Sequence, residues 1–268
     1  KIGKPLKDWH ININRGITTG FNEAFIIDTE TKVRLCAEDP KSAEIIKPIL
    51  RGKDIKKYQA NWAGLWLIVS HNGYNEKDKR IPRIEIKNYP AVKNHLDQYL
   101  PQLTKRSDKG DTPYNLRNCA YMLDFKKDKI LFSKASKEKS FAYNFLENYL
   151  QNTSYLITGH QLKFLISCLN SNFINFIFLE FYQGGGIDGE ITLQAIEQIP
   201  IPEISSTAQQ PFIKLVNQIL EGKKADEDTS ALEHQIDVMV YHLYELNYED
   251  ALVIDEHLSK EDFERYKI

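Results

Sequence analysis

The sequence predicts a mixed α/β (α+β) fold, with a mixed-sheet body over residues 1–204 and a helical hairpin or spacer over residues 205–268. Two patterns carry this reading. Short β-branched and aromatic runs bounded by turn residues recur up to Ile204. Beyond it the apolar residues fall at helical spacing. Composition agrees: 42% hydrophobic and 27% charged residues exclude a disordered chain, a collagen or a coiled-coil rod. At 268 residues the chain holds about two domains' worth of sequence and can bury a core without disulfide staples.

The elements follow in order. Gly16–Gly20 is a turn leading into Phe25–Ile27, a buried strand. Asp39 and Pro40 cap and open a helix carrying Ile45, Ile46, Ile49 and Leu50. Trp62–Ser70 is aromatic and β-branched enough for a strong strand. Tyr89 and Pro90 start a helix with Val92, Leu96, Tyr99, Leu100 and Leu103 on one face. Lys129–Phe132 and Phe141–Phe145 read as strands separated by a polar link, and Tyr155–Ile157 as another. Gln161–Tyr182 is apolar nearly all round and is expected as one buried helix. Phe212, Leu215, Val216, Ile219 and Leu220 then mark an amphipathic helix ended by Gly222. After the acidic connector Asp226–Asp228, Ser230 and Glu233 form a capping box. The helix they open carries Leu232, Ile236, Met239, Val240, Leu243 and Leu246, and a short third helix follows over Glu249–His257.

Charge is the most informative compositional feature. Residues 1–140 hold 28 of the 35 Lys and Arg and 17 of the 37 Asp and Glu, a balance of +11. Residues 141–268 carry −13. Such a reversal points to a nucleic-acid or membrane face on the basic half. No apolar run reaches the roughly 20 residues that span a bilayer, and no membrane partner is assigned. The three cysteines, Cys36, Cys119 and Cys168, are odd in number and widely spaced. That is the pattern of a reducing cytoplasm rather than a disulfide scaffold or zinc site. The chain opens on Lys1 rather than Met, as a piece of a longer protein would.

Motifs that suggest chemistry mostly lack the context the chemistry needs. Gly184–Gly189 matches G-x-G-x-x-G, but that fingerprint requires a strand before it and a helix after it. Here a helix precedes and the strand-like Ile191–Leu193 follows, so a flexible glycine loop is expected. Asp111–Tyr114 is one residue from the D-P-P-Y loop of amino-methyltransferases, without the cofactor loop that should precede it. It is at most a DNA-facing turn. Glu85 and Lys87 resemble half of a metal-dependent nuclease motif, with Asp54 or Asp78 as the other carboxylate. Three-letter matches of that kind are common in charged chains. The seven histidines show no metal-ligand spacing. No catalytic, cofactor-binding or metal-binding residue is assigned.

Basic and polar residues at loop-like positions remain, and they suit phosphate and base contacts: Arg15, Thr18, Thr19, Asn22, Arg51, Lys53, Arg80, Arg83, Lys105, Arg106, Lys134 and Lys137. Glycines beside several of them let backbone approach a phosphate.

Two segments carry a family resemblance. Gly16–Phe25 and Ile46–Ile55 resemble the TaqI-type C-terminal specificity, or target recognition, domain of adenine-specific DNA methyltransferases and type IIG restriction–modification enzymes. Tyr89-Pro90 with Leu96 and Leu103, Leu169–Ser171, Ile199–Pro202 and the helix through Asp237 and Tyr244 are similar as well. The resemblance implies a domain that selects a short duplex DNA sequence, in a parent chain with methyltransferase and, for type IIG, nuclease domains upstream. S-adenosylmethionine and magnesium would belong to that parent. The rivals are a stand-alone specificity subunit of a multi-chain system, a magnesium nuclease built on Glu85 and Lys87, and a protein-interaction module docking an acidic partner.

Overall fold

Consecutive residues of one strand serve two different cores. In the computed structural model, which describes residues 3–134, 139–181 and 192–267, Ile130 and Phe132 pack into one hydrophobic cluster and Leu131 into another. Phe141 and Ala142 divide in the same way, as do Ile157 and Leu156. Because side chains alternate across a strand, the sheet these residues build is a wall with a core on each face.

The chain begins β1 (Lys4–Pro5), β2 (Ile11–Arg15), α1 (Asn22–Phe25), β3 (Ile26–Ile27), α2 (Thr29–Glu38), β4 (Ile46–Leu50) and β5 (Trp66–Ile68). A hairpin, β6 (Tyr74–Glu76) and β7 (Lys79–Ile81), precedes α3 (Pro90–Asp97) and α4 (Leu100–Lys105). Next come β8 (Lys129–Ser133), β9 (Phe141–Asn144), β10 (Tyr149–Leu150), β11 (Ser154–Gly159), α5 (Leu162–Leu169) and α6 (Asn172–Phe181). The chain ends with α7 (Leu193–Gln198), β12 (Pro200–Ile201), α8 (Ser206–Lys224), α9 (Ser230–Leu243), α10 (Tyr248–Ile254) and α11 (Lys260–Arg265).

The wall is antiparallel, in the order β2-β11-β8-β9. One face packs on α5, α8 and α9 through Phe164, Phe212, Ile219 and Met239. The other meets a second sheet, β10-β4-β5-β3, in which β10 runs parallel to β4 and the remaining pairs are antiparallel. Helices α1 to α4 cover this second core with Ala24, Phe25, Leu35, Val92, Leu96 and Leu103. The helices after Ile204 share the first core directly: the Phe164 and Phe212 rings meet edge to face at 5.5 Å. A smaller cluster of Val238, Tyr241, Ala251, Leu258 and Phe263 closes the C-terminal end.

Several expected elements differ. Ile46–Leu50 is a strand, not part of a helix; Asp39 caps only a short 3-10 turn over Pro40–Glu44. An apolar run of that length fits either period, and pairing with β5 and β10 decides it. Trp62–Ser70 contributes only β5, since Trp62–Leu65 forms a turn closed by the Trp62 indole on the Leu65 carbonyl. Gln161–Tyr182 breaks into α5 and α6, bent by 59°. At the break the Asn170 amide bonds both the N–H and C=O of Phe141, and Asp237 caps the Asn172 N–H at 2.8 Å. Helix α8 runs on through Gly222 to Lys224. Thr229, not Ser230, precedes α9, and its hydroxyl donates to Glu233 at 2.7 Å. The third C-terminal helix is followed by a fourth, α11. Thr192 caps α7 where a strand was expected, whereas Gly184–Gly189 lies outside the described residues. Among the described residues no single helix is long and apolar enough to cross a membrane.

Candidate nucleic-acid interface

Register fixes which strand ends lie together. Arg15 is opposite Tyr155, Ser154 opposite Ser133, and Phe132 opposite Phe141. The last residue of β2, the last of β8, the first of β9 and the first of β11 therefore share one end of the wall. The segment after β4 joins them. A Cβ on Gly52 would stand 2.3 Å from the Ser133 hydroxyl, so only glycine lets the Arg51–Asp54 turn lie against β8. Gly16 is similarly pressed on the carbonyl of Gln151, which a Cβ would meet at 2.1 Å.

This end gathers Arg15, Arg51, Lys53 and Lys134. Arg15 donates from Nε to the Asn152 carbonyl at 2.5 Å and stays exposed. Arg51 grips Asp54 with two nitrogens, Nη2 at 2.8 Å and Nε at 3.1 Å, while Asp54 also accepts from the Arg51 N–H. That ion pair holds the Arg51 guanidinium above its ordinary pKa and satisfies a buried carboxylate. Lys53 points into solvent from the same turn. The Lys134 N–H bonds the Thr153 carbonyl at 3.0 Å, fixing the backbone where the link to β9 begins. Lys137 lies outside the described residues, between Lys134 and Lys139.

A cleft of about 500 Å³ opens beside this end. Lys56, Lys57, Lys139 and Lys223 line it together with Gln59 and Asn61. Lys57 and Lys223 share Glu233, at 3.3 and 2.9 Å. Behind them Asp237 is buried, and desolvation raises its carboxyl to about 6 despite the nearby Lys57.

Other expected contacts form a second group. Arg106 corrects its expectation outright: the guanidinium is buried. It donates to the carbonyls of Thr19, Asp108, Pro113 and Asn115 and lies 4.6 Å from the Phe25 ring. Desolvation lowers it to about 10, so it remains charged at neutral pH. It ties the Gly16–Gly20 turn to the Asp108–Asn115 loop and cannot reach a phosphate. Thr19 is buried too, its hydroxyl spent on Asn22 Oδ1 at 2.6 Å, whereas Thr18 is half-buried and Lys105 and Asn22 are exposed. Arg83 is held by Glu85 at 3.0 Å and Asp111 at 3.2 Å, and Arg80 by Asn75 at 3.3 Å.

The motif residues are likewise committed. Asp111 accepts from the Asn72 amide, and the Tyr114 hydroxyl donates to Asp97 at 2.6 Å with Lys93 over the ring. That tyrosine is not presented for stacking on a base. Glu85 pairs with Arg83 and Asp54 with Arg51, so these two carboxylates of the nuclease reading serve separate arginines, and Asp78, the alternative, is exposed in the turn between β6 and β7. Among the described residues no cluster of three or more His, Cys, Asp or Glu side chains is placed to hold a metal. Gln59 and Asn61 bear no charge, and their only trace in the sequence is two amides at alternate positions shortly after Lys56 and Lys57.

The TaqI-like C-terminal specificity domain matches residues 47–201, more than half of the chain. The protein belongs to the TaqI-like C-terminal specificity domain family. Its fold is similar to that of the type IIL restriction–modification enzyme MmeI, solved in complex with DNA. The TM-score is 0.68 at 12% identity, over 99% of this chain and 37% of MmeI. It is similar also to the type IIG restriction endonuclease BpuSI, with TM-score 0.52 and 14% identity over 81% of this chain and 26% of that one. This specificity domain thus spans well under half of either enzyme's length. The family match runs from β4 to β12 and takes in β8, β9 and β11 of the wall together with Arg51, Lys53 and Lys134, whereas β2 with Arg15 precedes it.

Proposed function

We propose that this specificity domain selects a short duplex DNA sequence for a restriction–modification enzyme. The parent activity we infer is adenine-specific methylation, joined to cleavage in a type IIG arrangement. S-adenosylmethionine and magnesium would be the business of other domains, and the cytoplasm its compartment. One observation carries the reading: Arg15, Lys53 and Lys134, far apart in sequence, meet at one end of a rigid wall beside a lysine-lined cleft. Cations on a fixed edge neutralise phosphates and set the register in which other side chains meet base edges.

Titration of a labelled duplex at two salt concentrations tests it. With three phosphate contacts, affinity should fall roughly fortyfold between about 50 and 200 mM salt. Affinity indifferent to salt would rule out the phosphate account.

A further inference from the structure

Within the cleft one side chain is built differently from its lysine neighbours. Gln59 sits in a turn whose geometry is fixed on every side. Lys56 N–H bonds the Gln59 carbonyl at 2.8 Å, and Ile55 and Ala60 pair across the turn. Asn61 N–H reaches the Asp54 carbonyl at 2.7 Å. Tyr58, at the turn's centre, adopts the left-handed conformation (φ 68°) that a bulky residue rarely takes. What holds it there is burial of its ring and two backbone bonds to β9: its N–H to the Phe141 carbonyl at 2.8 Å and its carbonyl from the Tyr143 N–H at 3.1 Å. The flanking residues are thereby turned outward from a buried anchor.

The Gln59 amide itself is oriented. Its Nε2 donates one N–H to Asn61 Oδ1 at 2.9 Å. An amide held in this way keeps a further N–H and a carbonyl oxygen, one donor and one acceptor in a plane. In the major groove adenine presents the matching pair, N7 as acceptor and the N6 amino group as donor. Guanine offers two acceptors there and suits arginine instead. None of the described residues lining the cleft is acidic, and Lys56 stands exposed three residues from Gln59, across the same turn.

We propose that Gln59, oriented by Asn61 and anchored through Tyr58, reads one adenine of the target duplex, with Lys56 on an adjacent phosphate. The proposal rests on the DNA-recognition reading and assigns base reading to this turn rather than to Arg83, whose guanidinium two carboxylates already occupy.

Selection from a randomised duplex pool by the 268-residue protein and its variants tests this. The wild type should enrich adenine at one position, and Gln59→Ala should reduce that enrichment about tenfold or more while keeping most of the overall affinity. Gln59→Glu is the sharper variant. A carboxylate only accepts, so preference should move from adenine to cytosine, whose N4 amino group donates. Asn61→Ala should weaken the adenine preference without redirecting it. Lys56→Ala should lower affinity on all sequences alike. An unchanged selected sequence in Gln59→Ala and Gln59→Glu would overturn the assignment while leaving DNA recognition standing. A wild type that binds no duplex at all would remove both.

Discussion

The guanidinium of Arg106 lies against the Phe25 ring and four backbone carbonyls, while the ammonium of Lys53 stands in solvent a short way along the same basic half. Equal charges therefore give unlike variants. Arg106→Ala strands several buried acceptors and should cost about 3 kcal/mol in urea unfolding, with the salt slope of DNA binding unchanged in whatever remains folded. Lys53→Ala should leave stability alone and flatten that slope by about one. Asp237 gives a pH signature. Its folded pKa, about 6, lies above its ordinary value of 3.8, so the folded state holds a proton that the unfolded state has released between those limits. Its contribution to stability is whole below pH 3.8 and is lost as pH rises through 6. Asp237→Asn keeps an acceptor for the Asn172 N–H and removes the titration. Denaturant unfolding should therefore show the variant gaining on wild type by on the order of 2 kcal/mol between pH 4 and pH 7.5. A constant difference across that range would refute the assignment. None of this was visible in the sequence. Arg106 is an ordinary loop arginine until distant segments deliver their carbonyls, and Asp237 reads as one more acid in an acidic helix.

At the scale of elements, Gly52 and Ser133 make the contact that brings the Arg51–Asp54 turn onto β8. Gly52→Ala should destabilise by about 2 kcal/mol through overpacking. Adding Ser133→Ala removes the hydroxyl that the new methyl would strike, and a double-mutant cycle should recover about half of the loss. Additive effects would mean that the turn moves independently of β8. The elements most legible in sequence were those with a clear period and a single environment: α8, α9, β8, β9 and β11. Those misread had two plausible periods or a local contradiction. Ile46–Leu50 satisfies helix and strand alike, and only its partners choose. Asn12 and Asn14 interrupt the apolar text of β2, yet β2 is an edge strand whose alternate positions tolerate amides; Asn14 bonds Asp124 at 2.7 Å. Helix α2 has only Leu35 fully buried and leaves little periodic trace.

Across the whole molecule, the basic and acidic halves of the sequence do not become two bodies. The acidic half supplies β9 and β11 of the wall, β10 of the second sheet and the helices on the wall's first face, and the basic half supplies β2, β8 and the other three strands of the second sheet. A chain ending at Ile204 would lay bare the surface of Phe164 that Phe212 of α8 covers. Such a chain should lose the cooperative unfolding transition and bind a hydrophobic dye. A sharp transition retained in residues 1–204 would show that the helices after it are dispensable. The charge reversal is thus informative about surface and silent about architecture.

The order of strands in the wall also bears on how the protein is made. β2 and β8 touch only through β11, which leaves the ribosome after both. Until residue 159 has been synthesised, the nascent chain carries nearly all of its excess positive charge while β2 has no partner in the wall. At that stage nothing sets the register of β2 against β8. Insertion of one late strand brings Arg15 alongside Tyr155 and Ser133 alongside Ser154, and the basic edge is assembled by that event.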